Sequence, residues 1–139
     1  MTSVPPLIRT RDNDFFFAAA AAGRLEIQRC AACKVLRHPP GPACPACRSF
    51  DWDTVVSSRR ATLHSWTVVH HPRDPAFDYP LAVGLVDLAE GVRLVADIAE
   101  VDLATLAIDM ELEVGFAEHG RGEILPRLFP PGQARGAAR

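Results

Sequence analysis

Apolar residues fall along this chain in short runs, and only one of them is long enough to suggest a helix. Phe15 to Ala22 is continuously apolar. Asp12, Asn13 and Asp14 offer capping side chains before it, and Gly23 supplies a stop after it. The pattern predicts a helix over about 13–22. Its three successive phenylalanines lie about 100° apart on such a helix, so they cannot share one face. Either all three tuck beneath other parts of the chain, or at least one forms a contact surface for a ligand or partner subunit.

After Gly23 the period shortens to two. Leu25-Glu26-Ile27-Gln28 alternates and predicts a strand leading to Cys30. Phe50 to Val56 reads as a returning strand, with Phe50, Trp52 and Val55 placed to cover the cysteine turns. A long strand is expected over Ala61 to Val69, broken by His71-Pro72-Arg73-Asp74-Pro75. Leu81 to Leu88 and Val92 to Ile98 flank Ala89-Glu90-Gly91 and read as a hairpin. Asp102 can cap a short helical turn, Glu111 to Phe116 alternates, and Ile124 to Phe129 can close the sheet. Five strands after residue 60, with a short helix before the fourth, fit a five-stranded Greek-key barrel of the OB type, a small sandwich being the competing arrangement. The expected fold is mainly β: an N-terminal extension and helix over 1–23, a cysteine-rich ribbon over 24–57, a barrel over 58–130 and an unstructured tail over 131–139.

Length and composition fit that plan, since 139 residues with 48% hydrophobic content make one ordinary domain or two small ones. No run reaches the roughly 18 apolar residues of a membrane helix, and the first ten residues lack a signal-peptide core. A cytoplasmic protein with no membrane partner is the expectation. Charge is split: residues 1–60 carry +4 and residues 61–139 carry −6. An acidic barrel half argues against a groove that tracks phosphates, so a nucleic-acid partner is not expected.

Cys30-Ala31-Ala32-Cys33 and Cys44-Pro45-Ala46-Cys47 are two C-x-x-C pairs ten residues apart. Each turn presents two thiolates at a usable angle, and two turns complete a tetrahedral site with no open position. The metal is then structural, supplying folding energy that so short a segment lacks. Zinc is the expected ion, and iron uses the same ligands. Two disulfides or a redox pair are the competing readings. His38 lies inside the loop and reads as a surface histidine.

The order Phe15-Phe16, Gly23-Arg24-Leu25, Ile27-Gln28-Arg29-Cys30-x-x-Cys33, Pro39-Pro40, Cys44-Pro45-x-Cys47, Thr62-Leu63-His64-Ser65-Trp66-Thr67-Val68-Val69-His70 and Phe129-Pro130 resembles a bacterial and archaeal family. Its members join a rubredoxin-like zinc ribbon to an OB-fold and are grouped as a domain of unknown function. The resemblance spans about 12–130. It implies association with acyl-CoA chemistry, as a companion subunit of thiolase-fold, aldolase or enoyl-CoA hydratase enzymes. Two positions depart from the family pattern. Arg59-Arg60-Ala61 replaces a usual Gly-x-Gly, so that a positive-φ glycine would be lost, and Asp109 replaces a usual glycine.

Catalytic groups are sparse. There is no Gly-x-Ser-x-Gly, no Gly-x-Gly-x-x-Gly and no cysteine outside the ribbon. His70 and His71 are the acid–base candidates, yet neighbours on a strand face opposite ways, so at most one enters a given pocket. Arg59 and Arg60 can meet coenzyme A phosphates or form a solvated edge. Trp66 reads as barrel core or ligand platform. Candidate contact residues for a ligand or partner are therefore Phe15, Phe16, Phe17, Arg59, Arg60, Trp66, His70 and His71, with no turnover expected from the chain alone.

Overall fold

The structure, a computed structural model, describes residues 4–134. Helix α1 runs Asp14–Ala21. Asn13 does not cap it through its side chain. Its Oδ1 instead accepts from Thr10 N at 2.7 Å, tightening the turn before the helix. The far end closes as the sequence suggests: Gly23 adopts φ +78, which only glycine takes without strain, while Arg24 N donates to Ala19 O and Gly23 N to Ala20 O.

Three antiparallel strands follow in spatial order β2-β1-β3: β1 Glu26–Cys30, β2 Leu36–Arg37 and β3 Trp52–Val56. Strand β2 has two residues, too few for alternation to announce it. Across the register pair Arg29 and Asp53, the guanidinium holds the carboxylate by two hydrogen bonds of 2.7 and 2.9 Å. That contact holds the Asp53 carboxyl below the usual carboxylate range.

Residues 57–59 join this sheet to the next by a dense set of bonds. Ser57 N donates to Leu25 O at 2.8 Å, Ser57 Oγ to Glu90 Oε1 at 2.7 Å, and Ser58 N to Glu90 Oε2 at 2.9 Å. Burial pushes the Glu90 carboxyl up, but these donors outweigh it and hold the group below its ordinary value. Arg59 sits at φ +67; its O accepts from Val114 N at 2.9 Å, and its Nη1 donates to Val114 O at 3.2 Å. The left-handed conformation expected to vanish with the glycine is therefore kept by an arginine. Asp109 likewise sits at φ +66, as its short polar side chain permits.

The second sheet has five strands in the order β6-β5-β4-β7-β8: β4 Arg60–Val69, β5 Leu81–Leu88, β6 Arg93–Asp97, β7 Glu111–Glu118 and β8 Ile124–Phe129. A single 3₁₀ turn, Leu103–Thr105, precedes β7, with the Asp102 side chain accepting from Ala104 N. One parallel bridge, Ile98 to Leu128, joins the two outer strands, so the sheet curls into a nearly closed barrel. A register shift between Leu63 and Ser65 leaves His64 in a bulge that bends β4. Inside, Leu63, Val86, Val114, Phe116 and Leu128 are at most 1% exposed. Gly84 faces this core where a Cβ would meet Ile98 at 3.0 Å and Leu128 at 3.1 Å, so a side chain there would push the barrel wall outward.

No helix among the described residues is long and apolar enough to cross a membrane. Of the tail expected from 131 onward, residues 135–139 lie outside the described residues. Residues 131–134 contain a turn in which Gly132 N donates to Glu113 Oε2 at 3.1 Å.

Candidate metal centre and adjoining cleft

The two cysteine turns are built alike. Cys30 N donates to Val35 O and Cys44 N to Ser49 O, each at 2.9 Å, while Lys34 N returns to Cys30 O and Arg48 N to Cys44 O. Lys34 and Arg48 both adopt positive φ, +68 and +66, which brings each chain back toward its first cysteine. The four Sγ atoms lie within 4.8 Å of one another, with Cys30–Cys47 at 3.5 Å and Cys33–Cys44 at 3.6 Å. Thiolates about 2.3 Å from a tetrahedral zinc sit about 3.8 Å apart, so the set fits one such ion.

Electrostatics supports the same reading. The Cys33 backbone N–H, with help from Ala32, lowers the Cys30 thiol to about 6, and the Cys47 backbone N–H lowers Cys44. Cys33 receives a bond from Val35 N–H that favours its thiolate, yet burial and the neighbouring sulfurs push it up to about 11. Four adjacent sulfurs cannot all ionise against each other's charge. A divalent cation held by Cys30, Cys33, Cys44 and Cys47 would remove that conflict and hold the ribbon together. All four are free cysteines, which leaves the disulfide reading without support.

The phenylalanine run divides its work. Phe15 stacks on Trp52 with ring centroids 5.1 Å apart, Phe16 is buried, and Phe17 is half-buried with the Arg9 guanidinium 5.6 Å above its ring. Phe50, expected to cover the metal turns, points to solvent instead and is 75% exposed. His38 departs from its expected place at the surface. It is half-buried, its ring 5.2 Å from that of Phe16, and burial lowers its pKa.

Phe16, Phe17 and His38 line a cleft of about 460 Å³ together with residues of β5, β6 and β8, Phe77 and His119. His119 follows β7, in a turn pinned by its own N–H to Glu123 O at 2.9 Å. Its Nε2 is buried with no hydrogen-bond partner. Sequence reasoning placed His38 at the surface and passed over His119, which lies in no motif; only the fold brings them to one cleft.

The other candidates lie elsewhere. Arg59 is held against Val114, and Arg60 shares a shallow groove with Asp87, Glu111 and Glu113. Trp66 is half-buried on β4, beside Gly84 and Val95. His70 and His71 are exposed in the loop after β4, where His70 O accepts from Arg73 Nε at 3.4 Å. None of these five lines the cleft.

Comparison with known proteins agrees with this architecture. Residues 17–53 match the family described as "ChsH2, rubredoxin-like zinc ribbon domain", and residues 54–117 match "ChsH2, C-terminal OB-fold domain". A solved chain from an "Ltp2-ChsH2(DUF35) aldolase" is 48% identical and superposes with a TM-score of 0.85, covering 91% of this chain and 98% of that one. A "probable enoyl-CoA hydratase alpha subunit" of Thermomonospora curvata is 48% identical over 120 residues, 86% of this chain and 38% of the relative. The "3-oxo-4,17-pregnadiene-20-carboxyl-CoA hydratase alpha subunit" of Mycobacterium tuberculosis is 38% identical over 109 residues, 78% of this chain and 35% of that protein. The chain thus spans little more than a third of the length of these two curated relatives.

Proposed function

Because the chain belongs to the ChsH2 family, which joins a rubredoxin-like zinc ribbon to an OB-fold, we propose that it is a companion subunit of an aldolase acting on acyl-CoA thioesters. The partner, of thiolase fold, would supply the acid–base groups for retro-aldol or Claisen chemistry beside the thioester. This chain would supply a rigid, zinc-stapled docking unit that also contacts the acyl-CoA. The observation that carries the reading is the match to almost the whole ChsH2(DUF35) chain of an aldolase, at 48% identity. The sparse catalytic inventory supports it. His70 and His71 are exposed, and no side chain is positioned beside either as an orienting partner among the described residues.

A second reading, partner of an enoyl-CoA hydratase, is favoured by the names of the two curated relatives, whose further length lies outside this chain. Binding of single-stranded nucleic acid is disfavoured by the −6 charge of residues 61–139.

Turnover separates these readings. Isolated chain should leave a β-hydroxyacyl-CoA and an enoyl-CoA untouched; with an aldolase of the Ltp2 type, the hydroxyacyl thioester should be cleaved. Turnover by the isolated chain that His70→Ala or His71→Ala abolishes would place the active site here and defeat the proposal. Hydration of the enoyl-CoA with a hydratase subunit, and no cleavage with the aldolase, would favour the second reading.

A further inference from the structure

Strand β5 is apolar on both sides. Ala82, Gly84 and Val86 are buried in the barrel, while Leu81, Val83 and Leu85 alternate with them and face out, half-buried. Pairing carries this outer face onto both neighbours: Val69 of β4 stands opposite Leu81, and Val95 of β6 opposite Leu85. An antiparallel strand that packs on one side ordinarily turns polar residues to the other. Here three successive outward positions are aliphatic, Val95 is 63% exposed, and Phe77, in the loop before β5, is 45% exposed. A contiguous apolar patch of this kind marks a surface that something covers. A hollow of about 220 Å³ lies on it, lined by Val83, Leu85 and Val95 and by β4 from Ser65 to Thr67. The charges around the patch are of one sign. Arg93 Nε lies 2.8 Å from Asp87 Oδ1, and Arg127 Nε lies 2.9 Å from Asp97 Oδ2, the second close but poorly aligned for a hydrogen bond. Those two cations are therefore already engaged. Asp78 and Glu118, which share a groove with Phe77 and Leu81, have no ion-pair partner among the described residues.

We infer that the outer face of β4, β5 and β6 is a docking surface for a different protein, whose matching surface is apolar at its centre and basic at its rim. An apolar side chain of that protein fills the hollow over Val83, Leu85 and Val95, and its basic rim meets Asp78 and Glu118. Charge selects this occupant. The −6 of residues 61–139 repels nucleic acid. A second copy of this chain fits poorly as well, because on this face Arg93 and Arg127 are already held and no cation is left to meet the other copy's carboxylates. That the docked protein is an aldolase subunit rests on the companion-subunit reading; the face and its charges do not.

The test is biolayer interferometry of the full-length, metal-loaded chain against an aldolase of the Ltp2 type and, separately, against a hydratase subunit. Val95→Arg changes a side chain that is already exposed, so metal content and melting midpoint should hold while the complex weakens about tenfold or more. Thr67→Arg, opposite Val83 on the same face, should act likewise, and it decides the matter if Val95→Arg fails to fold. Asp78→Asn combined with Glu118→Gln should weaken the complex about threefold and flatten its dependence on salt. Phe50→Asp, on the exposed ribbon and off this face, should leave affinity unchanged. A complex that neither Val95→Arg nor Thr67→Arg weakens, or that Phe50→Asp abolishes instead, would overturn the inference. So would a parent chain that sediments as a dimer and becomes monomeric in Val95→Arg, since a second copy would then cover the face. Binding to the hydratase subunit alone, weakened by Val95→Arg, would keep the inference and sink only the aldolase reading. Binding to neither protein would overturn both.

Discussion

Lys34 and Arg48 hold the left-handed conformations that bend the two metal turns, at φ +68 and +66. A side chain with a Cβ in that region costs on the order of 1 kcal/mol relative to glycine. Lys34→Gly and Arg48→Gly should therefore each raise stability by up to about 1 kcal/mol, read as a higher midpoint in denaturant with metal content unchanged. Arg59→Gly should gain less, because it also forfeits the bond from Nη1 to Val114 O. His38 gives a signature in pH. Its folded pKa is lowered from 6.5 by burial, so the unfolded chain binds the proton more tightly. Its contribution is fully present above pH 6.5 and is lost as pH falls below that value toward the folded pKa. The difference in melting temperature between the parent and His38→Phe should therefore be flat above pH 6.5 and shift in favour of His38→Phe below it. A difference that stays constant down to pH 5 would mean that the ring is solvated.

Elements show where the sequence was legible. The helix, the five barrel strands and the paired cysteines were readable because each rests on a local rule: a run with caps and a stop, a period of two, a fixed ligand spacing. Strands β5 and β8 span Leu81–Leu88 and Ile124–Phe129, where an apolar run beside a turn and a last apolar segment place them. What was not readable depends on distance along the chain. Strand β2 is two residues formed by pairing with β1, and the site of His38 depends on Phe16, in a helix far upstream. The unpaired nitrogen of His119 becomes visible only when β6 and β8 are set side by side. Helix α1 is itself testable at this scale. Phe16→Ala should cost about 3–5 kcal/mol, the range for emptying a buried aromatic site. Phe15→Ala, which loses a stacked contact at the edge of the ribbon, should cost clearly less. Equal and small costs for both would make the helix an interface element in the isolated chain rather than part of its core. Stripping the metal with a chelator should melt the strands of the ribbon first, seen as loss of amide protection over β1 and β3 while β5 and β7 stay protected.

At the scale of the whole molecule, the ribbon and the barrel are locked through Ser57, Ser58, Arg59 and Glu90, and α1 packs against both β1 and β8. A rigid unit of this kind suits docking better than catalysis, since preorganised surfaces lose little freedom on binding. Its family and its match to the chain of an "Ltp2-ChsH2(DUF35) aldolase" point the same way. Light scattering on a size-exclusion column, with the metal-loaded chain mixed with an aldolase of the Ltp2 type, tests the companion-subunit reading directly. The proposal predicts one co-eluting species of fixed stoichiometry, with about one metal ion retained per copy of this chain. Two separate peaks at micromolar concentrations, with this chain co-eluting instead with a hydratase subunit or a single-stranded oligonucleotide, would contradict it.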